Sequence, residues 1–168
     1  MSANPDEPIE VRTATAADVA EMARIREAGG LPDDAERMAR YLAGEHHPQH
    51  ALAPRVIFVA EQGGRMIGYV AGHRTTRFGC DGELQWIFVL PDHRGSGAAD
   101  LLLDRLAAWF IGEGARRVCV DVVPENTRAR RFYHRHGAQT LHRYWLVWPD
   151  IAVARTPPSP STTPALPN

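Results

Sequence analysis

Apolar and polar positions alternate across residues 9–14, the two-residue period of a strand with one buried face. Thr15 follows as an N-cap, with Asp18 three positions on in the capping-box place. Val19, Met22 and Ile25 then recur at helical spacing until Gly29 and Gly30 stop the helix. A second helix is predicted over residues 33–42 and a loop over 43–54. Residues 56–61 and 66–74 read as strands, joined through Gln62-Gly63-Gly64-Arg65, whose paired glycines suit a tight hairpin. Residues 83–89 form another strand. Residues 98–111 read as a helix with Leu102, Leu106 and Trp109 on one face. The short apolar run 118–122 suits the middle of a sheet. Residues 126–136 read as a helix ended by Gly137, and 139–148 supply one or two closing strands. The order β-α-α-β-β-β-α-β-α-β(β) predicts an α/β fold, a mixed sheet with helices on both faces.

Composition narrows the functional classes. The chain has 168 residues and a net charge of −1, enough length for one domain and no basic excess for neutralising nucleic-acid phosphates. All 19 basic residues are arginine, so Schiff-base and phosphate-loop lysine chemistry are excluded. Cys80 and Cys119 are too few for a disulfide framework and lack metal-site spacing. His46, His47 and His50 lie around Pro48 without a carboxylate at helical spacing, so no metal site is predicted. The first residues, MSANPDEP, are polar and acidic, and no run is apolar enough to span a bilayer; the expectation is a soluble, cytoplasmic protein without membrane partners. The division expected is a flexible N-terminus over 1–8, one domain over 9–150, and a disordered proline-rich tail over 151–168.

The stretch from Leu84 to Ala99 carries the most chemistry. A strand ends at Pro91, a turn of small residues follows (Arg94-Gly95-Ser96-Gly97-Ala98-Ala99), and a helix begins at once. Gly95 and Gly97 let backbone amides approach an anion, and the new helix adds free N–H groups and the positive end of its dipole. That arrangement suits a pyrophosphate, although Gly-x-Gly by itself also suits an ordinary strand-to-helix turn. Downstream, Asn126, Ala129 and Tyr133 fall at i, i+3 and i+7 on one helix face, and small Ala129 leaves room for a ligand between the other two.

Arg94-Gly-Ser-Gly97-Ala-Ala99 resembles the Arg/Gln-x-x-Gly-x-Gly/Ala signature of the GCN5-related N-acetyltransferases. The run Asn126-Thr-Arg-Ala129-Arg-Arg-Phe132-Tyr133-His-Arg-His-Gly137-Ala138 resembles that family's second motif, departing only at Ala138, where Phe is usual. The resemblance spans residues 9–150. It implies a mostly antiparallel sheet of six or seven strands in which one parallel pair, 83–89 with 118–122, splays apart to admit the pantetheine arm of acetyl-CoA. Backbone groups of Ile87, Phe88 and Val89 would pair with that arm, and Arg94, Gly95, Ser96, Gly97, Ala98, Ala99, Asn126 and Ala129 would hold the rest of the co-substrate.

The implied activity is transfer of acetyl to a primary amine of a small molecule or peptide by direct attack in a ternary complex. Glu83 is the expected base, since in the family a glutamate at this strand position often serves so through water; the period of two also sets Glu83 on the face of Val89. His73, Asp121 and the cluster His46-His47-Pro-Gln-His50 are further candidates. Tyr133 is the expected acid for the departing thiolate. Arg128, Arg130 and Arg131 are candidates for the 3′-phosphate, and Trp86 and Trp145 for the walls of the acceptor pocket. A non-catalytic acyl-CoA-binding module of the same fold is the alternative. The Trp-rich closing strands also suit pairing in a homodimer.

Overall fold

The computed structural model describes residues 4–155. Seven strands form one sheet: β1 (Ile9–Thr13), β2 (Ala51–Gln62), β3 (Arg65–Thr75), β4 (Gly82–Val89), β5 (Val118–Asp121), β6 (Gln139–His142) and β7 (Trp145–Trp148). Four helices accompany them: α1 (Val19–Ala28), α2 (Ala35–Leu42), α3 (Ala98–Gly112) and α4 (Thr127–Arg135). The strand order is β1-β2-β3-β4-β5-β7-β6, antiparallel everywhere except between β4 and β5.

Strand alternation divides the core into two layers. Phe58, Ala60, Ile67 and Val70 face one way and meet Leu102, Leu103, Leu106 and Phe110 of α3, all four fully buried, with Tyr133 of α4 in the same layer. Ile57, Val59, Tyr69 and Ala71 face the other way and pack on Met22 and Ile25 of α1 and on Met38 and Tyr41 of α2. Helices therefore cover both faces. The Thr15–Asp18 capping box forms, but the chain makes one 3-10 turn, Ala16–Asp18, before α1.

Three expectations are corrected. The loop expected over 43–54 is partly strand, because β2 starts at Ala51. Pro54 is tolerated there because β1 pairs only with the far half of β2, from Phe58 to Gln62, and the β2–β3 register shifts between Leu52 and Arg55. The tail boundary at residue 151 falls too early: Ile151–Ala154 forms a 3-10 turn whose Ile151 and Ala154 are buried against the α3 layer, and Arg155 Nε donates to Asp104 at 2.8 Å. The remainder of the proposed tail, 156–168, lies outside the described residues. At the other end, Gln62 Nε2 donates to the Glu7 carbonyl at 2.8 Å and the Pro5 carbonyl at 3.3 Å, which ties part of the segment expected to be flexible to the end of β2.

Candidate active site

The site originates in the one parallel pairing among the described residues. β4 and β5 are in register for three residues, Gly82–Leu84 against Val118–Val120. β5 then ends at Asp121, while β4 continues to Val89 with no partner on that side. The strands part into a wedge, and the β4 edge from Gln85 to Val89 keeps backbone donors and acceptors unused toward β5. A cavity of about 1160 Å³ fills the wedge, running from Arg37 and Glu83 past Ile87, Phe88 and Val89 to the turn at Arg94–Ala99 and the start of α4.

At the far end, Gly95 and Gly97 adopt φ of 82° and 89°, left-handed values that side chains with a Cβ rarely take, and open space lies where each Cβ would point. Ala98 opens the 15-residue helix α3 directly behind them. Arg94 and Arg128 both border this end. Burial first, and then the charge of Arg128, lower the Arg94 pKa, so an anion between them would relieve the repulsion. Arg131 also lines the cavity. Arg130 does not: its guanidinium is spent on the carbonyls of Val122, Val123 and Arg143. Asn126 lines the cavity too, but as the N-cap of α4, its Oδ1 accepting from the Ala129 amide at 3.2 Å. Every residue from Arg94 to Ala99, together with Ile87, Phe88, Val89, Asn126 and Ala129, borders this one space.

At the near end a bulge decides which side chains meet. Ala71 pairs with Trp86 but its neighbour Gly72 pairs with Leu84, leaving Gln85 as an extra residue on β4. The extra residue reverses the alternation. Glu83 therefore shares a face with Trp86 and Phe88, toward α1 and α2, and not with Val89 as a regular strand requires.

Glu83 is 5% exposed and sits in a polar knot. Its Oε2 accepts from Arg77 Nε at 3.2 Å and faces His73 Nε2 at 3.5 Å, while His73 Nδ1 lies 3.0 Å from the Tyr41 hydroxyl. Burial pushes the Tyr41 phenol well above its ordinary value. A carboxylate only accepts, and His73 Nε2, though it faces Glu83, makes no hydrogen bond among the described residues. Asp121 borders the wedge from β5; partial burial and the nearby Glu83 charge raise its pKa, opposed by Arg77.

Tyr133 is 4% exposed and lines the cavity from α4. Its ring packs edge-on against Trp148 at 5.7 Å and Phe132 at 5.6 Å. Burial, reinforced by Asp121, raises the phenol pKa, so the hydroxyl keeps its proton through the neutral range. Trp86 borders the cavity, tilted against Tyr41 at 4.9 Å. Trp145 does not border it; it packs beneath Arg77 at 4.6 Å and beside Phe78. Sequence reasoning missed Arg77, Tyr41 and the bulge at Gln85. No local signal marks them, since Tyr41 meets a partner distant in the chain and Arg77 meets Glu83 only through the turn between β3 and β4.

The profile of the Acetyltransferase (GNAT) family matches residues 20–138. The chain belongs to this family. An uncharacterized N-acetyltransferase of Mycobacterium tuberculosis is 37% identical over 83 residues, 49% of this chain and 52% of that protein. The aminoglycoside N(6′)-acetyltransferase type 1 of Salmonella typhimurium is 30% identical over 92 residues, 51% of this chain and 63% of that protein. The alignments thus span about half to under two thirds of these relatives. Among solved structures, the PaiA N-acetyltransferase of Thermoplasma acidophilum in complex with coenzyme A superposes with a TM-score of 0.64 at 15% identity, covering 83% of this chain and 97% of that one, a likeness of fold. Within the GNAT family frame, the splayed β4–β5 pair and the Arg94–Ala99 turn stand where the sequence motifs predicted them. Among the described residues, no helix is long and apolar enough to cross a membrane.

Proposed function

We propose that this GNAT protein is an acetyl-CoA-dependent N-acetyltransferase that acetylates a primary amine on a small molecule or peptide by direct attack in a ternary complex. One observation carries the reading: a single cavity joins an anion-suited turn at Arg94–Ala99, an unpaired strand edge at Ile87–Val89, a buried carboxylate at Glu83 and a phenol at Tyr133. Phosphates need the first, pantetheine amides the second, and amine and thiolate protons the last two. The coenzyme A complex of the Thermoplasma relative and the acetyltransferase names of the sequence relatives support the same donor. Free thiols at Cys80 and Cys119 suit a reducing, cytoplasmic setting.

In this reading the amine nitrogen attacks the thioester carbonyl, its proton passes to Glu83 directly or through water, and the C–N bond forms. The C–S bond then breaks, and Tyr133 gives its proton to the departing thiolate. Arg77 holds the Glu83 carboxylate in place. Alignment along the β4 edge supplies much of the rate, with on the order of 7–11 kcal/mol available to a well-oriented pair at best. Introducing a glutamate in Gly97→Glu puts a negative side chain at the anion-suited turn. It should weaken acetyl-CoA binding by calorimetry at least about a hundredfold and abolish thiol release with any amine; unchanged affinity would remove the turn from the site.

A further inference from the structure

The charge at the near end of the cavity bears on what kind of amine enters. Resting on the transferase reading above, we propose that the acceptor is a small amine carrying a carboxylate or similar anionic group, which Arg37 holds over Trp86 while the nitrogen reaches Glu83.

Two guanidinium groups border the acceptor end, Arg26 from α1 and Arg37 from α2, and they share one carboxylate. Arg26 takes most of it: its Nη2 lies 3.3 Å from Asp34 Oδ2, and its Nε also donates to the Pro32 carbonyl at 3.2 Å. Arg37 Nη1 reaches the same oxygen only at 3.9 Å, beyond hydrogen-bonding distance, and its side chain is 45% exposed. Its guanidinium lies over the Trp86 ring at 5.4 Å from the centroid. Asp33 and Glu36, the other carboxylates near Arg37, do not line the acceptor cavity itself. They border a second hollow, which Asp34, Arg37, Arg40 and His46 also line, and Asp33 Oδ1 accepts from the Ala35 amide. Deeper in, Glu83 is matched by Arg77. Arg37 thus sets a guanidinium on an aromatic plate, its donors placed to bind an anion bidentately, while Asp121 near Glu83 is the other carboxylate bordering this part of the cavity.

The bulge fixes the spacing. Glu83 pairs with His73 and Trp86 with Ala71, so the two β4 residues stand two register steps apart on one face, about 7 Å at the usual strand rise. An acceptor that bridges them separates nitrogen from anion by a few bonds. A polycationic amine would instead bring further positive charge toward Arg26 and Arg37.

The test uses three ω-amino carboxylates (β-alanine, γ-aminobutyrate and 5-aminovalerate), with n-butylamine as the neutral-tailed control and spermidine as the polycation. Turnover is read by thiol release, and binding to the coenzyme A-loaded protein by calorimetry. In the wild type, the best ω-amino carboxylate should exceed n-butylamine in kcat/KM and in affinity by about tenfold or more, and spermidine should rank last. Arg37→Gln should bring the ratio of carboxylate to n-butylamine close to one; a merely structural role for Arg37 would lower both amines together and keep the ratio. A wild-type ratio of one, a preference for spermidine, or a ratio that survives Arg37→Gln overturns the proposal. Selective binding without turnover of any amine would overturn the transferase reading while leaving the anion site standing; neither binding nor turnover overturns both.

Discussion

Replacing Tyr133 by Phe tests the chemistry with little disturbance of structure. The substitution removes one oxygen and leaves the ring, so the edge-on contacts with Trp148 and Phe132 persist. Burial and Asp121 hold the phenol protonated, so the wild-type enzyme carries the acid across the neutral range. If that hydroxyl protonates the departing thiolate, Tyr133→Phe should lower kcat by roughly 10²–10⁴, the usual worth of a positioned acid. At 1.36 kcal/mol per decade, this is about 2.7–5.4 kcal/mol of barrier. Stability should move by no more than about 1 kcal/mol, because no hydrogen-bond partner among the described residues is orphaned by the loss. The assay is thiol release under saturating acetyl-CoA with an amine the wild type acetylates, alongside thermal melting and acetyl-CoA titration. Undiminished kcat in Tyr133→Phe would refute the reasoning. A fall in kcat accompanied by an equal fall in acetyl-CoA affinity or a large drop in Tm would assign the hydroxyl to structure.

Two further predictions concern stability. Asp18 accepts two 2.8 Å hydrogen bonds from Arg12, which pull its pKa from 3.8 to about 2 against the opposing effect of burial. The folded value lies below the unfolded one, so this stabilisation is present above about pH 4 and disappears as the pH falls toward 2. It amounts to roughly 2 kcal/mol, and acid titration of Asp18→Asn by circular dichroism should lack that part of the wild-type slope. Ending the chain after Asp150 removes Ile151 and Ala154 from the α3 layer and should cost about 2–3 kcal/mol relative to ending it after Arg155. Equal denaturant midpoints for the two truncations would show that this turn does not contribute to the core.

Legibility in the sequence follows the range over which each feature is specified. Gly95 and Gly97 are legible because left-handed backbone constrains residue type on the spot, and α3 and the β2–β3 hairpin because periodicity and paired glycines act within a few residues. Membership of the GNAT family was likewise readable, since both motifs are contiguous. The surroundings of Glu83 were not. Nothing in Gly-Glu-Leu-Gln-Trp announces that Gln85 drops out of register; the bulge exists because β3 pairs on both sides of it, and it alone turns Glu83 from the Val89 face to the Trp86 face. Arg77 and His73 reach Glu83 from a 3-10 turn and from β3, Tyr41 reaches His73 from α2, and Arg37 reaches Trp86 from α2, so their roles depend on distances that only the closed sheet sets. Trp145, aromatic and close to the motifs in sequence, is turned away from the cavity and packs beneath Arg77. Local backbone chemistry thus determined the donor half of the proposed site. The acceptor half is assembled from side chains distant in sequence, and strand register and helix packing decided it.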